Sequence, residues 1–581
     1  MKNGLFNPST LERLKPHLTL LYGESNFRDI LSRLERIVQN HLTQSPSNAL
    51  HAGPLTEQDA VLITYGDQVQ RGGQLPLQTL TSFLQTYIKG IISGVHILPF
   101  FPYSSDDGFS VIDYRRVNPD LGSWENITEI ASDFRLMVDA VINHISVRSD
   151  WFQGFLKGDA HYQNHFISVD PEADLSRVVR PRDLPLLTPF DTHRGQSHIW
   201  TTFSTDQVDL NYGNPEVLLE MIDLLLFYIR QGTQLIRLDA IAFLWKEIGS
   251  ASIHLPQTHA IIQLMRTIVD SFAPWVYLIT ETNVPHRENI SYFGDGNDEA
   301  HLVYQFALPP LVLHTLLTGD ASSLTAWAYE LETPSLNTTF FNFLASHDGI
   351  GLRPAQDYLS SSDIDRLVKW TKGCMGGVSY RRVGEGERNP YELNITYFDA
   401  LRDSESADTP SPRWIARYIC SQAIMLSMAG IPGIYFHSLF GSRNDLKGAD
   451  STGRLRSINR QKFQADELAQ ILSDPTSTAS QVFRAYCRLL GARRGHPAFN
   501  PYAPQRVLDL KPGIFALLRT DLEGLRRMIC LHEVAGITTR LNIENRESAS
   551  SKAIDILTTE ELDLSACELE PYQVRWITLD E

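Results

Sequence analysis

Cysteine is scarce in this chain: there are five in 581 residues, Cys374, Cys420, Cys487, Cys530 and Cys567, none in Cys-x-x-Cys spacing. An odd number of distant thiols excludes a disulfide framework and offers no zinc site. Basic residues are outnumbered 51 to 68, for a net charge of −17. No basic run compensates, which argues against a nucleic-acid or anionic-membrane surface. No apolar run approaches the ~20 residues of a membrane-spanning helix. The start, MKNGLFNPSTLERLKPHLTLLYG, lacks the apolar stretch of a signal peptide. These absences predict a reduced, cytoplasmic, soluble protein. What is present is a core-forming composition, 43% hydrophobic and 20% charged, which excludes disordered and collagen-like classes.

Leu11, Leu14, Leu18 and Leu21, then Phe27, Ile30, Leu34 and Ile37, recur at helical spacing and predict a helical extension over 1–50. Residues 44–53 are polar and read as a linker. From about residue 59, short apolar runs alternate with long amphipathic stretches, the rhythm of βα units. Strands are expected at 60–64, 95–100, 134–142, 235–238, 276–280, 301–306, 340–345 and 433–436. Eight strands separated by helical segments predict an α/β fold, a (β/α)8 TIM barrel spanning 51–498. About ninety residues separate the third and fourth strands, far more than a usual βα loop. The first part, 145–206, is rich in Asp, Arg, Pro and aromatics, shows no helical period, and predicts a small inserted domain over the barrel mouth. The segments GIFALLRT, RRMICLHEV and TTRLNIEN are short and β-like and predict an antiparallel β domain over 499–581.

Side chains just past the C-terminal ends of barrel strands face the active site, and carboxylates sit in such places. Asp139 lies in VDAVINH, Asp239 in QLIRLDA, Glu281 in YLITETN and Asp348 in FNFLASHDGIG. One carboxylate after a strand reads as a cap or turn residue. Several in succession, each flanked by apolar residues, do not, because a buried carboxylate costs several kcal/mol unless it is paired or used. Arg237, two residues before Asp239, points to the same face and would keep Asp239 ionised.

The segments DAVINH, IRLDA, ITETN and ASHDG resemble, in this order, the signature regions of the α-amylase superfamily, glycoside hydrolase family 13. The chain is similar, more narrowly, to the sucrose phosphorylase branch through LPFFPYSSDDGFSVIDY, DQVDLNYGNPEV, VYQFALPPLVLHTL, PYELNITYFDAL and RLRSINRQKF. The resemblance implies that Asp239 is the nucleophile, Glu281 the general acid/base and Asp348 the carboxylate that stabilises the transition state. Those residue types suit a retaining displacement through a covalent glucosyl-enzyme. It further implies a glucose pocket. His144 and His347 would donate to sugar hydroxyls, Asp106 would grip the far edge of the ring, and Phe109 and Phe203 would flank it. Gln207 would stand at the mouth of the inserted domain, and Arg456 on a late barrel loop near the site.

The chain departs from sucrose phosphorylases in two basic stretches, SRVVRPRDLP and GGVSYRRVGEGERNP. Arg180, Arg182, Arg381, Arg382 and Arg388 are thereby candidates for phosphate or an anionic acceptor; for any one of them, solvation on an exposed loop is the plainer reading. The resemblance therefore implies an α-glucoside phosphorylase that forms α-glucose 1-phosphate. Glucosylglycerate ranks first as its glucoside, glucosylglycerol second and sucrose 6′-phosphate third, with sucrose itself as a further alternative. An α-glucosidase or transglucosidase using water or sugar is another reading, and a non-catalytic sugar-binding barrel is disfavoured by the intact carboxylates. No cofactor and no metal is expected, inorganic phosphate being a co-substrate, although Asn143 of DAVINH matches a metal ligand of amylases. The expected partners are small molecules alone, with no nucleic acid and no membrane.

Overall fold

In the computed structural model, residues 5–43, 53–182, 184–383, 387–405, 408–543 and 552–579 are described; the linker expected at 44–53 lies almost wholly outside them. Eight parallel strands close into a barrel. They are β1 (Val61–Thr64), β2 (Gly94–Ile97), β3 (Arg135–Ala140), β4 (Thr233–Leu238), β5 (Tyr277–Thr280), β6 (Leu302–Tyr304), β7 (Thr339–Asn342) and β8 (Ile431–Tyr435). All eight lie where the apolar runs place them. The boundary at β8 differs from the expected 433–436: the strand starts two residues earlier, at Ile431, and includes Pro432 near its start. Both faces of these strands are buried, so they appear as continuous Val/Ile/Leu runs rather than alternating patterns.

Two N-terminal helices, α1 (Pro8–Tyr22) and α2 (Phe27–Leu42), lie against the outer layer of the barrel. Helix α1 buries Leu14, Leu18 and Leu21 and packs on the helix Pro256–Phe272; α2 buries Ile30, Leu34 and Val38 against the helix Pro215–Arg230. Burying each such side chain is worth about 1.5–3 kcal/mol. Polar contacts fix the register, among them Arg13 with Asp270 at 3.1 Å and His41 with Asp223 at 2.8 Å.

Between β3 and β4 the chain leaves the barrel. The strand His144–Ser146 pairs with Gln207–Asp209 at the base of this excursion, and the sheet Ser168–Val169, Gly195–Trp200 and Leu187–Thr192 lies beyond. No helix is expected here from the sequence, yet Asp150–Lys157 is helical. At two turns it is too short for its period to stand out. The Ser149 side chain accepts from the Phe152 amide at its start, and Gly158 ends it in the left-handed conformation. At the other end of the chain, six antiparallel strands form a sheet that begins at Gln505. Arg519 fastens that sheet to the barrel by donating to the Ser427 carbonyl at 2.8 Å.

Candidate active site

Asp239 follows β4 and Glu281 follows β5, so the barrel register alone sets them side by side. The turn after Asp239 is tight: Ala240 has φ +50°, which is costly for a residue with a Cβ, and its amide donates to Glu281 Oε2 at 3.1 Å. Arg237 lies beneath both carboxyls, 2% exposed. It contacts Asp239 Oδ1 at 2.9 Å and Glu281 Oε1 at 3.7 Å, and also pairs with Asp139 on the neighbouring strand. Asp139 thus faces inward, where His96 meets it at 2.8 Å, and does not line the cavity. His96 and Arg237 overcome burial to hold it near 2. Burial pushes the Asp239 carboxyl well above the carboxylate range, helped by the charges of Glu281, Asp139 and Asp348 against the pull of Arg237. Glu281 is also raised, by burial first and then by Asp348 and Asp139. Two carboxyls so placed share a proton. Burial raises both, but the guanidinium is nearer Asp239 than Glu281, which favours the charge on Asp239 and the proton on Glu281.

Asp348 lies beyond β7, between two guanidiniums and an imidazole. Arg456 pairs with it, Arg460 stands 4.0 Å away, and the His347 ring is 3.6 Å away. Burial would raise this carboxyl, but Arg456, His347 and Arg460 more than offset it and leave it well below the usual range. Arg456 has a second partner, the buried Glu392, with Nε to Oε2 at 3.1 Å and Nη2 to Oε1 at 2.9 Å. Burial holds His347 near 3 and His144 near 4, so both rings are neutral near pH 7.

The wall opposite is made by the loop 104–110. Asp106, Asp107 and Gly108 have successive φ values of +55°, +50° and +113°. Asp tolerates this region better than most residues, and at Gly108 a Cβ would come within 2.6 Å of the Pro99 carbonyl. The strained turn aims Asp106 into the cavity and Asp107 away from it, toward Arg460. Ser104 and Ser110 anchor the turn by donating to Asp206 Oδ2 at 2.6 and 2.9 Å. Phe109 stacks on His347, with ring centres 4.8 Å apart, and Phe203 stands 5.2 Å from His144. Gln207 Nε2 donates to the Phe109 carbonyl at 3.1 Å. His144 Nε2 also faces that carbonyl, at 2.9 Å, so it would have to leave this bond to donate to a sugar. Asp106, Phe109, His144, Phe203, Gln207, His347 and Arg456 all line one cavity with the three carboxylates.

The five arginines of the basic stretches part company. Arg182 lines the cavity but is committed to Asp106 Oδ2 at 3.1 Å, and its guanidinium lies 5.8 Å from the Phe203 ring centre. Arg381 lines the cavity as well. Arg180 and Arg388 are exposed and form no part of the cavity wall. The side chain of Arg382 lies outside the described residues. Arg353, Tyr391 and Asn283, which the motif reading does not single out, do line the cavity. Each was within reach of it, since Asn283 closes ITETN, Arg353 follows SHDGIG by two residues, and Tyr391 opens YELNITYFDAL.

Asn143 is taken up differently. The Lys246 ammonium donates to its Oδ1 at 2.8 Å and lies 2.8 Å from Asp209 Oδ2, with all three side chains buried. Among the described residues there is no group of three or more His, Cys, Asp or Glu arranged to hold a metal ion, and no helix is long and apolar enough to cross a membrane. Lys246→Ala would leave the Asp209 carboxylate without its counter-charge, a loss of about 3–5 kcal/mol for a buried pair broken on one side. Thermal unfolding should show a clear fall in Tm for this variant, while prolonged chelation of the wild type leaves Tm and activity unchanged. A calcium-restorable loss on chelation would contradict this account of the site.

Residues 67–352 match the α-amylase catalytic domain. Over 98% of both chains the sequence is 48% identical to a glucosylglycerate phosphorylase of Spirochaeta thermophila. It is 50% identical to another of Allomeiothermus silvanus, over 98% of this chain and 99% of that one. A sucrose phosphorylase of Agrobacterium vitis is 31% identical over 76% of this chain and 88% of its own length. Among solved structures, the sucrose 6F-phosphate phosphorylase from Thermoanaerobacter thermosaccharolyticum superposes with a TM-score of 0.73 at 23% identity, covering 90% of this chain and 99% of that one. With its closed barrel, its strand-end carboxylates and relatives of this identity along nearly its whole length, the chain belongs to the α-amylase superfamily, in the branch that holds the glucosylglycerate and sucrose phosphorylases.

Proposed function

We propose that this protein is a retaining glucosylglycerate phosphorylase. The observation that carries the reading is one guanidinium, Arg237, 2.9 Å from Asp239 Oδ1 and 3.7 Å from Glu281 Oε1, a placement that favours charge on the first carboxyl and the proton on the second. Identity of 44–50% to glucosylglycerate phosphorylases supports the choice of glucoside. In the first step the Asp239 carboxylate attacks the anomeric carbon, the glycosidic bond breaks, and Glu281 gives its proton to the departing glycerate oxygen. In the second, an oxygen of hydrogen phosphate attacks the glucosyl ester and the Asp239–carbon bond breaks. The proton carried by phosphate returns to Glu281, so none is gained or lost overall. Two inversions leave α-glucose 1-phosphate. Asp348, fixed by Arg456 and His347, would hold sugar hydroxyls as positive charge develops on the ring. Phosphate is the second substrate, and no cofactor takes part.

The test is phosphate-dependent release of α-glucose 1-phosphate from glucosylglycerate, and in reverse, acceptor use with α-glucose 1-phosphate across glycerate, glycerol, fructose and fructose 6-phosphate. Glucose release that ignores phosphate would make the protein a glucosidase instead. The raised Glu281 carboxyl also sets a pH dependence. Its acid form, needed when glycerate leaves, persists above the ordinary Glu range and is lost as pH rises through the raised pKa. The kcat/KM for glucosylglycerate should therefore fall on the alkaline side, and Glu281→Gln should abolish that limb. A limb that survives the substitution belongs to another group.

A further inference from the structure

A three-stranded sheet lies beside the barrel mouth, with Ile350–Gly351 at one edge, Glu387–Asn394 in the middle and Gly377–Val383 at the other edge. Its first strand begins two residues after Asp348, and Arg353 lies two residues past its end. The hairpin approaches this strand so closely that a Cβ at Gly349 would come within 2.6 Å of the Leu393 carbonyl. The pairing slips between Ser379 and Tyr380, so that Ser379 faces Glu392 but Tyr380 faces Pro390, and Tyr391 is the extra residue of a bulge. Bulges re-aim side chains next to active sites. Here Tyr380 turns outward to Lys372 at 3.1 Å, while Tyr391 and Arg381 enter the cavity that holds Glu281.

The charges at this end of the cavity do not balance. Among the described residues Arg381 forms no ion pair, and its Nε is buried without a hydrogen-bond partner. Arg353 has one carboxylate contact, to Glu288 at a long 3.4 Å. The two guanidiniums are close enough that Arg353, after burial, helps push the Arg381 pKa down. The Tyr391 hydroxyl faces the Asn283 amide at 3.4 Å as acceptor, and burial holds its pKa up at about 12, so its own proton is available to donate. Two partly buried cations and an O–H with its proton left to donate, facing the cavity that Glu281 also lines, call for a group with two anionic oxygens.

We propose that Arg353 and Arg381, with the Tyr391 hydroxyl, bind the carboxylate of the acceptor, and that Arg353 is a specificity-determining residue for an anionic acceptor over a neutral one. The assignment rests on the glucosylglycerate reading. Arg182 does not share the role, because Asp106 already occupies it.

The experiment uses α-glucosyl fluoride as donor, so that no phosphate is needed to form the glucosyl-enzyme, and compares glycerate, glycerol and inorganic phosphate as acceptors. Wild type, Arg353→Met, Arg381→Met and Arg381→Lys are assayed. The readout is the ratio of kcat/KM for glycerate to that for glycerol on one preparation, from which any difference in folded fraction cancels. Losing a charge-assisted contact should lower this ratio about ten- to a hundredfold in each Met variant, mainly through the KM for glycerate. Arg381→Lys should recover part of the loss. A ratio that falls supports the assignment whether or not phosphate use falls with it. A ratio that holds within about threefold in both Met variants, including one in which only phosphate use is lost, overturns it while leaving the glucosylglycerate reading intact. A wild type that cannot use glycerate overturns that reading and the assignment with it.

Discussion

Asp239→Asn is expected to lower kcat for every donor by about ten-thousandfold or more, because an amide cannot form the glucosyl ester that both half-reactions share. The loss should be equal for glucosylglycerate and α-glucose 1-phosphate, since neither leaving group can compensate for an absent nucleophile. The substitution nearly preserves shape and removes a negative charge from a buried site in which Asp139 and Asp348 already repel it. The variant should therefore unfold no earlier than the wild type, and catalytic failure cannot be put down to collapse of the fold. Initial rates and a thermal melt on the same sample check both halves. A variant retaining more than about a hundredth of the wild-type rate would be incompatible with covalent attack by Asp239.

Glu281→Gln should fail selectively. Glycerate leaves as a poor alkoxide and needs the proton, so phosphorolysis of glucosylglycerate is expected to drop about 100- to 10,000-fold. Fluoride leaves with far less help, so α-glucosyl fluoride should lose less. In the second half-reaction azide, which is anionic and needs no base, should restore turnover and yield α-glucosyl azide. Product analysis with and without azide separates this from a general defect. Equal losses for both donors, with no azide product and an intact fold by circular dichroism, would remove Glu281 from the acid/base role.

The barrel and its carboxylates are legible in the sequence because their physics is local. A fully buried strand shows as an apolar run, and an acid at the end of such a run is out of place unless it has a task. Asp239 and Glu281 stand out for this reason. Asp139 meets the same criterion and does a different job, pinning Arg237 from below, which only the strand register reveals. The acceptor side is legible only in part. Arg180, Arg381 and Arg388 are the same residue type in similar stretches, yet two face solvent and one enters the cavity. What carries Arg381 into the cavity is a non-local pairing of 350–351 with 392–393 and a bulge at Tyr391. Neither leaves a periodic trace. Glu392 likewise sits in a strand that reads as ordinary, and its partner Arg456 is 64 positions away.

The Lys246 ammonium has a consequence beyond its two contacts. A bound ion has a dissociation constant, so the fraction of molecules holding it depends on how much is free in solution. A side chain tethered to the same backbone has a fixed local concentration and cannot be diluted away. Asn143 and Asp209 join the third barrel strand to the return of the excursion that follows it, at the base on which His144 and Gln207 are carried. The Lys246 contribution to that junction is thus zeroth order in any free cation.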